Sequence, residues 1–150
     1  MSFETDKARG KVGESIVKHY FTSLGVEVRD TSEIGEYQTD DIDIVSADGI
    51  TYEIKTDYRF AETGNLALED SIADAHGSRK SWLWTSAAER FIFVNPKQPN
   101  RFVAIGAEDL RHLVRFEGLR HVTKDDGYKL IGLYLLPFDK YRDVFEIMEY

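Results

Sequence analysis

The sequence predicts a mixed α/β (α+β) fold on three observations. The chain opens with helical periodicity, continues through short β-rich segments suited to antiparallel pairing, and adds further helix-like segments towards its end. Its 150 residues suit a single domain, 1–150, and a composition of 42% hydrophobic and 13% aromatic residues can fill one core.

The elements follow in order. Val12, Ile16, Val17, Tyr20, Phe21 and Leu24 recur at three- and four-residue steps, which predicts a helix over 4–24 closed by Gly25. "VEVRD" (26–30) reads as a short strand. "DIDIV" (41–45) and "ITYEIK" (50–55) are β-rich and joined by "SADG", a hairpin turn. "NLALE" (65–69) reads as a strand, and 70–88 fits neither period cleanly. "RFIFVN" (90–95) and "RFVAIG" (101–106) are strands on either side of "NPKQPN", a loop. "AEDLRHLVRF" (107–116) is a helix with Leu110, Leu113 and Val114 on one side. "YKLIGLYLLP" (128–137) is a strand, and "DKYRDVFEIMEY" (139–150) is expected to be a final helix with Asp139 as its N-cap.

Composition excludes several classes. No run approaches the ~20 apolar residues of a membrane helix. The opening "MSFETDKARGKVGE" is polar and acidic, unlike a secretory signal. There is no cysteine, hence no disulfide framework and no thiolate metal site, which fits a cytoplasmic setting. The four histidines lack zinc-site spacing, and no glycine-rich phosphate loop appears. A net charge of −8 argues against coating nucleic acid by bulk electrostatics. Residues 76–124 are nevertheless +5, which leaves −13 on the rest, so a basic region could face a polyanion.

The chemistry concentrates in "DDIDIVSADGITYEIKTD" (40–57). Side chains alternate across a strand, so Asp41, Asp43 and Val45 share one face, and Glu53 and Lys55 share one on the next strand. Where those faces coincide, Asp43, Glu53 and Lys55 converge at one end of the sheet. Two carboxylates and an ammonium suit a hard divalent cation with a neighbouring charge stabiliser. The plainer reading is a solvated strand edge carrying a Glu–Lys pair.

The D-x(9)-E-x-K spacing from Asp43 to Lys55, preceded by the helical "GKVGESIVKHYFTSLG" bearing Glu14, resembles the PD-(D/E)XK nuclease superfamily. "YEIKTDYRFAETGNLALE" and "SRKSWLWTSAAERFIFVNP" are similar to its phage-type, Holliday-junction-resolvase-like subgroup, and the resemblance spans roughly 9–95. It implies a restriction-endonuclease-like core, a central mixed β-sheet flanked by helices. It also implies a Mg²⁺- or Mn²⁺-dependent nuclease hydrolysing DNA phosphodiester bonds, an endonuclease on duplex or branched DNA of phage or prophage origin. Small enzymes of that fold often dimerise, so a homodimer belongs to the same expectation.

Carried over residue by residue, the resemblance makes Asp43 and Glu53 metal ligands, with the backbone carbonyl of Ile54 as a third. Lys55 becomes the catalytic lysine, and Glu14 projects towards the metal or its water. No proline precedes the aspartate, and Asp41 competes with Asp43 for the ligand role, Asp43 having the better spacing. Glu69 could reach the site or be a surface acid. Arg79, Lys80, Trp82 and Trp84 are candidates for nucleic-acid contact through phosphate charge and stacking, the tryptophans having core packing as their alternative. A catalytically reduced binding module on the same fold is the second reading. A small α/β domain without nuclease ancestry is the third, and it would bind no metal.

Overall fold

The computed structural model describes residues 3–31, 34–35 and 42–149, with side chains from Ala8 onward. The first helix, α1 (Phe3–Ser23), buries a stripe of Gly13, Val17, Tyr20 and Phe21. Val12, expected inside, lies one residue off that stripe and is 44% exposed. Leu24 falls past the last turn and is exposed as well. Gly25 ends the helix as expected, with φ 72°, and the Val26 amide folds back to the Phe21 carbonyl.

Three strands follow, β1 (Val28–Asp30), β2 (Ile44–Ser46) and β3 (Thr51–Thr56). A one-turn helix, α2 (Phe60–Thr63), leads into β4 (Asn65–Asp74) and β5 (Gly77–Lys80). A second, α3 (Trp82–Thr85), precedes β6 (Arg90–Val94) and β7 (Arg101–Gly106). Then come α4 (Ala107–Phe116), β8 (Arg120–Asp125), β9 (Leu130–Pro137), α5 (Phe138–Tyr141), a 3₁₀ turn (Arg142–Val144) and β10 (Glu146–Glu149).

The strands form two sheets. The larger has the order β1-β2-β3-β6-β7-β10, and the smaller β5-β4-β9-β8. In the larger sheet β3 and β6 run parallel, while the other neighbours are antiparallel. The fold is thus a mixed α/β one, with a central mixed sheet flanked by helices, as expected.

The central strands are buried on both faces, which explains why "RFIFV" and "RFVAI" are apolar at nearly every position. Ile92, Val94, Phe102 and Ala104 face α1 with Tyr52 and Ile54. Phe91, Phe93, Val103 and Ile105 face the other way, onto α3, α4 and Leu66, Leu68 and Leu136 of the smaller sheet. The segment 70–88 resolves into the far half of β4, all of β5 and α3, with a register irregularity in β4 between Glu69 and Ser71.

The C-terminal helix expected over 139–150 is not formed. After α5 and the 3₁₀ turn the chain becomes β10, pairing antiparallel with β7 and setting Met148 opposite Phe102. Helical spacing gives way to tertiary pairing. Ile147 packs on one core and Met148 on the other, and β10 covers a sheet edge that a helix would leave open. Asp139 does not cap a helix: Pro137 holds the N-cap position, and Asp139 pairs with Arg142 at 3.1 Å. The strand β8, polar at most positions, carries little sequence signal and is held by its pairing with β9.

Candidate active site

The hairpin forms as expected, with Gly49 in the turn at φ 86° and the Ser46 amide donating to the Ile50 carbonyl at 2.9 Å. Asp43 lies just before β2. Its amide donates to Tyr52 O at 2.9 Å, although Tyr52 is in register with Ile44, so the ladder is irregular at this point. The Ile54 amide donates to Asp43 Oδ2 at 2.8 Å. The carboxylate stands where a backbone carbonyl would continue the ladder, so main chain fixes its position through a charge-assisted bond.

Glu53 is 3% exposed and in register with Phe91 of β6. Lys55 is in register with Phe93, and its Nζ reaches Glu53 Oε1 at 2.5 Å. Alternation therefore places Glu53 and Lys55 together, as expected, while Tyr52 and Ile54 point into the core under α1. The ammonium also lies over the Trp82 ring, 4.6 Å from its centroid.

Glu14 approaches Asp43 from α1, which packs on the Tyr52 and Ile54 face of β3. Gly13 permits this, because a Cβ there would collide with the Thr56 hydroxyl of β3. The Glu14 side chain is 14% exposed and lies 3.5 Å from Lys11 Nζ. Its Oε2 is buried without a hydrogen bond among the described residues. Burial first, and then the negative charge of Asp43, pushes its carboxyl above the ordinary range, with Lys11 opposing. Glu14 and Asp43 therefore share an electrostatic neighbourhood that a cation would relieve.

The donor set is all oxygen, which fits a hard divalent cation. Such ions are often held by one or two carboxylates, with water and phosphate completing the shell. Asp43 commits one of its two oxygens to Ile54 and Glu53 one to Lys55, whose ammonium supplies the positive charge there. Among the described residues no three His, Asp or Glu side chains are grouped closely enough to form a ligand cluster on their own. Asp41 lies outside the described residues.

The remaining charge of the hairpin does structural work. Asp57 accepts hydrogen bonds from the amides of Arg59 at 3.1 Å and Ala67 at 3.2 Å, tying the exit of β3 to the start of β4. Burial raises its pKa despite those bonds. Glu69 accepts a hydrogen bond from Ser81 Oγ at 2.9 Å, at the entrance to α3.

The expected nucleic-acid residues separate. Trp82 is 8% exposed and packs edge-on against Phe91 at 5.2 Å, so it is a core residue rather than a stacking platform for bases. Arg79 and Lys80 lie on the exposed β5, where Arg79 pairs with Asp74 at 3.0 Å. Trp84 is partly buried under the Arg115 guanidinium. The basic excess of 76–124 is dispersed by folding. Arg79, Arg90, Lys97, Arg101 and Lys124 each pair with an acid from outside that segment. The sequence held no sign of Gly13's contact with Thr56 or of the Lys55–Trp82 contact, since both join elements far apart in the chain.

No protein-family model matches the chain, and no curated protein matches it in sequence. In fold it is similar to a bacterial homing endonuclease, with a TM-score of 0.54 over 83% of this chain and 76% of that one, at 12% identity. At that identity the likeness is one of fold. Among the described residues no helix is long and apolar enough to cross a membrane.

Proposed function

We propose that the chain is a metal-dependent endonuclease of the PD-(D/E)XK type, hydrolysing phosphodiester bonds of duplex or branched DNA. The observation that carries this reading is the hairpin itself. Asp43, bonded to the Ile54 amide, and Glu53, paired with Lys55, stand on neighbouring segments of one sheet, in a fold shared with an endonuclease.

In this reading Asp43, Glu53 and the Ile54 carbonyl hold Mg²⁺ or Mn²⁺. When bound, such an ion acidifies water and neutralises charge on the phosphate. Lys55 supplies a fixed ammonium beside the phosphate, where preorganised charge is most effective because it needs no reorientation during the reaction. Glu14, whose carboxyl is easier to protonate than an ordinary one, is suited to hold or hand over a proton at Oε2. Cutting both strands of a duplex takes two such sites, so the reading extends to a homodimer on DNA.

The test is cleavage of branched, duplex and single-stranded DNA with Mg²⁺, Mn²⁺ or EDTA. The expected result is metal-dependent cutting that Lys55→Ala and Glu53→Ala each reduce by about 100-fold or more. Absence of cutting on every substrate would make a DNA-binding module on the same fold the better account.

A further inference from the structure

We propose that Trp82 is the positioning residue of Lys55, which rests on the reading of Lys55 as the catalytic lysine. The Lys55 ammonium is held between two groups, Glu53 Oε1 at 2.5 Å and the Trp82 ring at 4.6 Å from its centroid. A lysine side chain has a flexible four-carbon stem, and an ammonium on the face of a desolvated indole is attracted by the ring's quadrupole. The two contacts have different fates during turnover. With a divalent cation bound, Glu53 would be shared between it and the ammonium, and the Lys55–Glu53 contact would weaken. The indole face carries no such competition, so it would keep Lys55 in place with Glu53 so engaged.

The indole is itself fixed. Trp82 meets Phe91 at 5.2 Å with the planes 67° apart, and Phe93 at 6.1 Å. Phe91 and Phe93 are the register partners of Glu53 and Lys55 on β6, so one pair of strands sets both the charged side chains and the ring. The helix α3 has four residues, too few to stand alone. Arg111 of α4 clamps it, donating from Nε to Leu83 O at 2.7 Å and from Nη2 to Ser86 O at 2.8 Å. Burial at 8% keeps the ring away from bases, which leaves Lys55 as the charge it serves.

The chain has two tryptophans, so Trp84→Phe leaves Trp82 as the sole indole emitter, read with excitation on the red edge where tyrosine does not absorb. In that background Lys55→Met is expected to shift the emission maximum and change its intensity at fixed pH, and Mn²⁺ alone is expected to quench Trp82. In cleavage, Trp82→Phe keeps a ring and is expected to stay within about threefold of wild type. Trp82→Leu is expected to lower kcat about tenfold with KM within about twofold. Emission unmoved by Lys55→Met would overturn the proposal without recourse to cleavage or to the folding of a Trp82 variant. Equal kcat for Trp82→Leu and Trp82→Phe would overturn it too. Emission that responds to Lys55→Met in a protein that cuts no DNA would support the contact and sink the nuclease reading instead, so the two failures are distinct.

Discussion

Glu14 is a carboxyl that the fold holds against its ordinary chemistry. Its pKa is raised from 4.5, first by burial and then by Asp43. A carboxyl whose folded pKa lies above its unfolded one binds protons more readily when folded, so stability falls as pH rises through that window. Asp57 contributes with the same sign, from 3.8 upward. Glu14→Gln is therefore expected to raise stability at neutral pH and to flatten the dependence above 4.5, leaving the Asp57 part. Urea denaturation across pH checks both, and the same variant is expected to cut DNA more slowly than wild type. Such a gain of stability with loss of activity is the pattern of a group retained for function. At this scale the pairing of Glu53 with Lys55 was legible, because strand alternation alone sorts them onto one face, whereas the bond from the Ile54 amide to Asp43 was not. Core packing of Trp82 was among the readings the sequence allowed, but its contact with Lys55 was not legible, because it joins elements far apart in the chain.

Between elements, α1 approaches β3 at Gly13 and Thr56 too closely to admit a Cβ. Gly→Ala inside a helix ordinarily stabilises by up to about 1 kcal/mol. Here the new Cβ would meet the Thr56 hydroxyl, and Thr56 is β-branched, with a stiff χ1. Gly13→Ala is expected to lose about 1–3 kcal/mol, and Thr56→Ala in the same chain to recover most of it. Thermal denaturation of the single and double variants reads this out. The long periodic elements, α1 and α4, and the apolar β6 and β7 were legible for the reason that makes them stable, a continuous buried face. The last twelve residues misled, because "DVFEIMEY" fits helical spacing until β7 offers an edge to pair with. Residues 120–125 were silent, because an edge strand needs few apolar side chains.

Across the whole molecule, the larger sheet is covered on one face by α1 and on the other by α3, α4 and the smaller sheet. Leu136 is fully buried and joins the smaller sheet to Phe91, Phe93 and their neighbours in one core cluster. Leu136→Ala is expected to cost about 2–5 kcal/mol in chemical denaturation, with both sheets unfolding in one transition. The basic segment was legible as composition, but its pairing with distant acids was not, since ion pairs such as Arg90–Glu146 exist only once the chain is folded. With that charge dispersed on an acidic protein, the proposed function requires a bound cation and Lys55 to offset the repulsion of a polyanion. Calorimetric titration with Mn²⁺ tests that most directly. Wild type and Lys55→Met are expected to bind Mn²⁺, and Asp43→Asn and Glu53→Gln to lose it. Equal binding by all four proteins, or by none, would contradict the assignment of this hairpin as a metal site.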